Sequence, residues 1–187
     1  MQAVSNIGDS FGAGILRGSG FGSKAHIRGR WRVECFGSDG KLKWAEDFEN
    51  IVVNEGLNHL LDSSLAGQTQ ITSWFVGLKG TGTPAAADTM ASHASWSEDQ
   101  NYGEANRQAW TANGAASGQS VSNSSAKATF SINATTTIYG AFLTSNNTKG
   151  GTSGKLYAAG NFASSKALGA GDQLLVTATF TTADDGV

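Results

Sequence analysis

The sequence predicts an all-β protein: a β-sandwich or jelly-roll-like single domain with one short α-helix and an extended N-terminal arm. At least five segments alternate apolar and polar residues with the strand period of two, whereas only one has helical spacing. Charged residues make up 15% of the 187 residues, against about a quarter in typical domains. Gly, Ser, Thr, Ala and Asn take their place, a composition that favours strands joined by many turns.

The sequence predicts an extended arm over residues 1–25 and a β-rich body over residues 26–187. The arm is rich in glycine and carries apolar residues with neither helical nor strand period. Because a flexible linker would hold little besides Gly and Ser, we expect the arm to lie extended on a partner subunit and to be ordered only there. A disordered terminus is the alternative. The candidate contact residues of the arm are Ile7, Phe11, Ile15, Leu16, Arg17, Phe21 and Lys24.

Residues 27–45 predict a β-hairpin with one apolar and one charged face. Apolar residues alternate with charged ones from Ile27 to Cys35, and the alternation resumes at Leu42 and Trp44. The residues between them, Ser38, Asp39 and Gly40, form a typical turn.

A helix is predicted near residues 55–66, with Asn54 as its N-cap and Gly67 ending it in the left-handed conformation. Its leucines, Leu57, Leu60, Leu61 and Leu65, fall at helical spacing. We expect this stripe to pack against the sheet and His59 to lie on the solvated face opposite.

Five later strands are predicted at residues 73–78, 128–133, 138–143, 156–162 and 174–181. The predicted core contains Trp31, Val33, Leu57, Leu61, Val76, Phe130, Ile132, Phe142, Val176 and Phe180. Two long polar connections, residues 81–94 and 112–122, are of the kind that usually carries function or contacts a partner. Trp96 and Trp110 lie in polar sequence and are candidate intermolecular contacts.

The sequence indicates no catalytic, cofactor-binding or metal residues, and we expect a protein that is not an enzyme. No serine stands in a G-x-S-x-G elbow, and no Gly-Lys-Ser/Thr phosphate loop occurs. His93 lies near Glu98 and Asp99, but no two histidines have a metal-ligand spacing. Cys35 is the single cysteine, which excludes an intramolecular disulfide and a cysteine-based zinc site.

Charge is unevenly distributed along the chain. Residues 1–44 carry seven basic and three acidic groups, a net +4, so the rest of the chain carries −6 of the total −2. Binding to nucleic acid is one interpretation of this charge pattern. Docking of the arm on an acidic protein surface explains the pattern better, so we expect no nucleic-acid partner. We expect no membrane association, since no run of eighteen apolar residues occurs. Residues 1–22 lack the features of a signal peptide, which predicts a protein made in the cytoplasm.

Three stretches of the chain resemble small structural proteins of tailed bacteriophages. They are NIVVNEGLNHLLDSSLAG at residues 50–67, SWFVGLKGTGTPAAADTMASH at residues 73–93 and KATFSINATTTIYGAFLTSNNTKGGTSGKLYAAGNF at residues 127–162. The resemblance extends over roughly residues 30–182 and brings no catalytic residues with it.

The resemblance implies a virion structural protein, made in the host cytoplasm. A head-decoration role fits the residues best: a homo-trimeric cement protein that binds the major capsid protein and sends arms over neighbouring capsomers. A tail, baseplate or fibre-associated protein is the first alternative. A carbohydrate-binding β-sandwich module or glycan hydrolase, with Trp96 and Trp110 as the sugar platform, is the second.

Overall fold

The computed structural model describes residues 25–184, and the side chains of residues 26–183. In this part of the chain, two antiparallel sheets and one helix form a β-sandwich, so the predicted all-β sandwich is confirmed. The seven contact residues predicted in the arm lie outside the described residues, and their roles stay predictions.

The helix and strands follow in chain order as β1 Ala25–Phe36, β2 Leu42–Glu49, β3 Ile51–Val52, α1 Asn54–Ser64, β4 Trp74–Gly82, β5 Trp96–Asp99, β6 Gln108–Trp110, β7 Ser120–Ser122, β8 Ala128–Ser131, β9 Thr136–Thr144, β10 Leu156–Leu168 and β11 Gln173–Asp184. Sheet A has the order β2-β1-β11-β7, with β8 also paired to β11. Sheet B has the order β3-β10-β9-β4-β5, with β6 also paired to β4.

The predicted hairpin is formed by β1 and β2. Gly40 has a φ of 75°, the left-handed conformation that the turn requires. Trp31 and Val33 point into the sandwich and are fully buried, whereas Arg32 on the opposite face donates to Asp47 over 2.8 Å. β1 also pairs with β11 along its whole length, so the first and last described strands are neighbours in sheet A.

The main core lies between the two sheets and contains seven of the predicted core residues. These are Trp31, Val33, Val76, Phe130, Ile132, Val176 and Phe180. Phe142 is also buried, but in a second apolar cluster with Val53, Met90, Trp96, Leu156 and Ala159. Two predicted core residues, Leu57 and Leu61, are exposed.

The second cluster is covered by the polar connection of residues 81–94. Met90 and Asp88 of this connection are buried, and the Asp88 carboxylate accepts a hydrogen bond from the Trp96 indole over 2.8 Å. Beneath it, Phe142 lies over Gly77, where a Cβ would come within 2.2 Å of the Phe142 ring. This connection therefore has a structural role as a lid on sheet B.

Candidate contact surface

The beginning of α1 is held tightly on sheet B. The Glu55 carboxylate accepts hydrogen bonds from the backbone N–H of Leu156 over 2.7 Å and of Met90 over 3.3 Å. Gly56 lies directly on β10, because a Cβ at this position would come within 2.4 Å of the Tyr157 carbonyl oxygen. The residue before the helix, Val53, takes the N-cap position predicted for Asn54 and makes no side-chain cap. Sheet contacts thus replace a side-chain cap.

These contacts turn α1 the opposite way from the sequence prediction. Gly56 and His59, three residues apart and therefore on one helix face, are the buried residues of α1. His59 packs edge-on against Trp74, with ring centroids 5.6 Å apart, and its Nε2 accepts a long hydrogen bond from the Ile71 N–H. The predictions that His59 is solvated and that the leucine stripe packs on the sheet are wrong. A glycine permits a closer approach of helix to strand than a leucine does.

As a result, α1 presents an apolar face to solvent. We call Leu57, Leu60, Leu61 and Leu65 the leucine face; their exposed fractions are 37%, 36%, 56% and 82%. Ile51 in β3, just before α1, is also 40% exposed. Single exposed leucines are ordinary on protein surfaces, but a cluster of them typically marks a contact site. The leucine face is therefore the candidate site of intermolecular contact.

A groove opens beside the leucine face, between the two sheets at one end of the sandwich. We call this the aromatic groove; its volume is about 600 Å³, within the range of about 300–1,000 Å³ typical of ligand pockets. Its walls include Leu60 of α1, Ile71 from the connection after α1, Trp74, Trp110 and Tyr157 from sheet B, and Phe180 from sheet A.

The rings in the aromatic groove form one continuous series across the sandwich. Trp74 packs edge-on with Tyr157 at 5.2 Å, Tyr157 with Phe180 at 5.2 Å, and Phe180 with Trp110 at 6.1 Å. The Trp110 indole N–H donates to the Ala178 carbonyl over 3.1 Å, which joins the two sheets. Such pairs fix ring orientation, so the groove wall is preorganised.

The two tryptophans predicted as partner contacts therefore have different positions. Trp96 lies in β5 and is only 5% exposed. Its ring is buried by His93, which stacks on it at 4.0 Å, and by Phe142. The prediction that Trp96 lies in polar loop sequence is wrong, and so buried a ring leaves almost no surface for the predicted partner contact or for a sugar platform built on both tryptophans. Trp110, in β6, is partly buried and lines the aromatic groove.

The most deeply buried charges on sheet B have structural partners. The Arg107 guanidinium and the Glu98 carboxylate form a bidentate pair, with N–O distances of 3.0 and 2.7 Å. Arg107 also donates to the carbonyls of Asn146 and Gly151. Asp99 accepts hydrogen bonds from Asn101 and Thr136. Glu98 and Asp99 lie near His93 in the sequence and were considered as metal ligands there. In the structure, both carboxylates bind these internal partners instead.

Lys79 on β4 is fully buried, and none of the salt bridges formed among the side chains of residues 26–183 includes it. Its ammonium donates to the carbonyls of Gly80 and Gly82 and lies 5.9 Å from the centre of the Trp96 ring. Burial lowers the pKa of Lys79 to about 8, because desolvation penalises the charged form.

Replacing Lys79 with Met is expected to change how stability depends on pH. The pKa of Lys79 is about 8 in the folded state and 10.5 in the unfolded state. Between these two pH values the unfolded state binds more protons than the folded state does. The contribution of Lys79 to the free energy of unfolding therefore rises as the pH is raised from 8 towards 10.5. It is lost again as pH falls through about 8. Between pH 7 and 10, the free energy of unfolding of wild type should gain about 1–3 kcal/mol relative to Lys79→Met.

Urea unfolding at both pH values measures this difference. Burial raises the pKa of the Cys35 thiol to about 11, but Cys35 is present in both proteins and cancels in the comparison. Lys41→Met, which changes a side chain that is 84% exposed, is the matched control. A wild-type-to-Lys79→Met difference that stays constant with pH would contradict a buried, titrating Lys79.

No cluster of three or more His, Cys, Asp or Glu side chains able to hold a metal ion occurs within residues 25–184. The one helix described there, α1, has 11 residues, and no described helix is long and apolar enough to cross a membrane. No family model matches the sequence, and no curated protein is significantly similar to it.

Proposed function

We propose that this chain is a non-enzymatic structural protein of a bacteriophage particle, and specifically a homo-trimeric decoration protein that binds the outer surface of the major capsid shell and stabilises it. The observation that carries the proposal is the leucine face: a small β-sandwich holds its one described helix with the leucines turned to solvent. The resemblance of three stretches to phage structural proteins supports the major capsid protein as the partner.

The leucine face supports protein binding because its side chains gain from being covered. Leu61 and Leu65 are 56% and 82% exposed, and fully burying a leucine contributes about 1.5–3 kcal/mol. One such patch is a small interface. Three copies of it on a trimer would engage the shell together, and this multivalency raises the overall affinity far above that of a single patch.

The buried polar groups support a structural role over a catalytic one. Arg107, Glu98 and Lys79 each make internal hydrogen bonds, and none of them lines the aromatic groove. The groove wall itself is mostly apolar, and the Nε2 of its one lining histidine, His59, accepts a hydrogen bond from the Ile71 N–H.

Binding to particles assembled without this protein tests the proposal. Wild-type protein is expected to co-sediment with heads and to appear on the outer shell in electron micrographs. The double substitution Leu61→Ser and Leu65→Ser should lower occupancy at least tenfold. Leu42→Ser is the matched control, since Leu42 is 54% exposed but lies in β2 of sheet A.

Binding to tails instead of heads, or to neither, would overturn the decoration role. If the double variant bound as fully as Leu42→Ser, the leucine face would not be the contact surface. Circular dichroism of both variants verifies that each retains the β-rich fold.

A further inference from the structure

We propose that the aromatic groove of one copy receives apolar side chains from residues 1–24 of a second copy of this chain. The inference rests on the proposed function in one respect, the association of copies with one another. The arm would thereby link subunits through a site built into the sandwich.

The groove is preformed and lacks a cover within residues 25–184. Its wall is made by Trp74, Tyr157 and Phe180, whose rings pack edge-on against one another. The β6 strand, which carries Trp110, is three residues long and pairs with β4, which carries Trp74. An apolar side chain that enters would meet aromatic surface from both sheets.

The described chain begins at the same end of the sandwich. Ala25 pairs with Asp184, and Gly29 pairs with Phe180 of the groove wall, so four residues separate the wall from the first described residue. At the rise of a β-strand, this is about 13 Å. Residues 1–24 are therefore joined to the body close to the mouth of a groove.

The composition of residues 1–24 matches this site. Large apolar residues recur at Ile7, Phe11, Ile15, Leu16 and Phe21. The segment has two basic groups and one acidic group, whereas residues 25–187 have eleven basic and fourteen acidic groups. The segment and the body are thus opposite in charge, and their association is not opposed by electrostatic repulsion.

The length of the segment favours a second copy over the same chain. Only the few residues next to Ala25 are needed to reach the chain's own groove, yet apolar residues continue back to Ile7. Twenty-four residues span up to about 80 Å, whereas a domain of this size has a radius of gyration of about 16 Å. The segment can reach a neighbouring subunit. A contact from arm to groove, repeated around a ring, closes into a symmetric oligomer.

Photo-crosslinking of the purified full-length chain tests the proposal. Phe11 or Phe21 is replaced by benzoylphenylalanine, and the unlabelled probe-bearing protein is equilibrated with a nitrogen-15-labelled copy that has no probe. We expect covalent dimers in which an unlabelled arm peptide is joined to a labelled peptide containing Trp74, Trp110 or Tyr157. A probe at Gln2, a polar position before the first candidate contact residue Ile7, is the matched control and should crosslink at least fivefold less.

A groove-filling variant provides the second readout. Ala116 is exposed and lines the groove, so Ala116→Trp should fill the groove without disturbing the core. It should lower the crosslinking yield at least tenfold, with an unchanged circular dichroism spectrum. Crosslinks confined to one copy, crosslinks outside the groove, or none from either probe position would overturn the proposal.

The outcome is separable from that of the proposed function. Crosslinks between copies in a protein that fails to bind phage particles would support the arm contact and reject the decoration role. A protein that decorates heads through the leucine face without such crosslinks would support the decoration role and reject the arm contact.

Discussion

Replacing Arg107 with Ala is expected to lower the free energy of unfolding by about 3–5 kcal/mol, the usual cost of removing one partner of a buried ion pair. The side chains of Arg107 and Glu98 are 0% and 6% exposed. Without the guanidinium, the Glu98 carboxylate would be buried with no counter-charge, and the carbonyls of Asn146 and Gly151 would lose their donor. The Arg107 group would also leave the face of the Phe142 ring, which it covers at 5.1 Å.

Urea unfolding of Arg107→Ala measures the loss, with Arg32→Ala as the matched control. Arg32 is paired to Asp47 on the exposed face of sheet A, and pairs of that kind contribute about 0–1 kcal/mol. Replacing both partners, as in Arg107→Met with Glu98→Gln, should cost less than Arg107→Ala, because no unpaired charge remains. Equal losses for Arg107→Ala and Arg32→Ala would contradict the structural role of the buried pair.

Truncating Phe130 to Ala is expected to cost about 3–5 kcal/mol, as removal of a fully buried aromatic ring usually does. Phe130 lies in β8, is 0% exposed and packs edge-on against Tyr102 at 5.0 Å. Its loss would leave a cavity between the two sheets. The same method applies, and Leu65→Ala, at a side chain that is 82% exposed, should change stability by less than about 0.5 kcal/mol. A near-neutral Phe130→Ala would show that this ring is not part of the core.

The longer strands could be predicted because their pattern is local. Val176 and Phe180 alternate with polar residues along β11, and both are buried as the period of two requires. The turn at Gly40 and the left-handed φ of 66° at Gly67 likewise follow from residue type. Each of these features depends on a few neighbouring residues, whose backbone angles decide where side chains point.

The orientation of α1 could not be predicted from its own residues. The leucine stripe is the most apolar face of the helix, and the usual rule places such a face on the core. The rule failed because the helix is anchored at its start by Glu55 and by the close approach of Gly56 to Tyr157. The partner residues, Leu156 and Tyr157, lie about a hundred positions further along the chain, beyond the range of any helical pattern.

The aromatic groove and the buried charges depend on distant pairings in the same way. Arg107 meets Asn146 and Gly151, and Trp110 meets Ala178, only because β6, β9 and β11 come together at one end of the sandwich. The sequence by itself determined the all-β class, the longer strands and the position of the helix, since these follow from side-chain period and turn chemistry, but not the short strands β3, β5, β6 and β7. Only the tertiary structure decided which faces are buried, because the burial of a face depends on the residues that long-range strand pairing brings against it. In this fold the four leucines of the leucine face are exposed and Trp96 is buried.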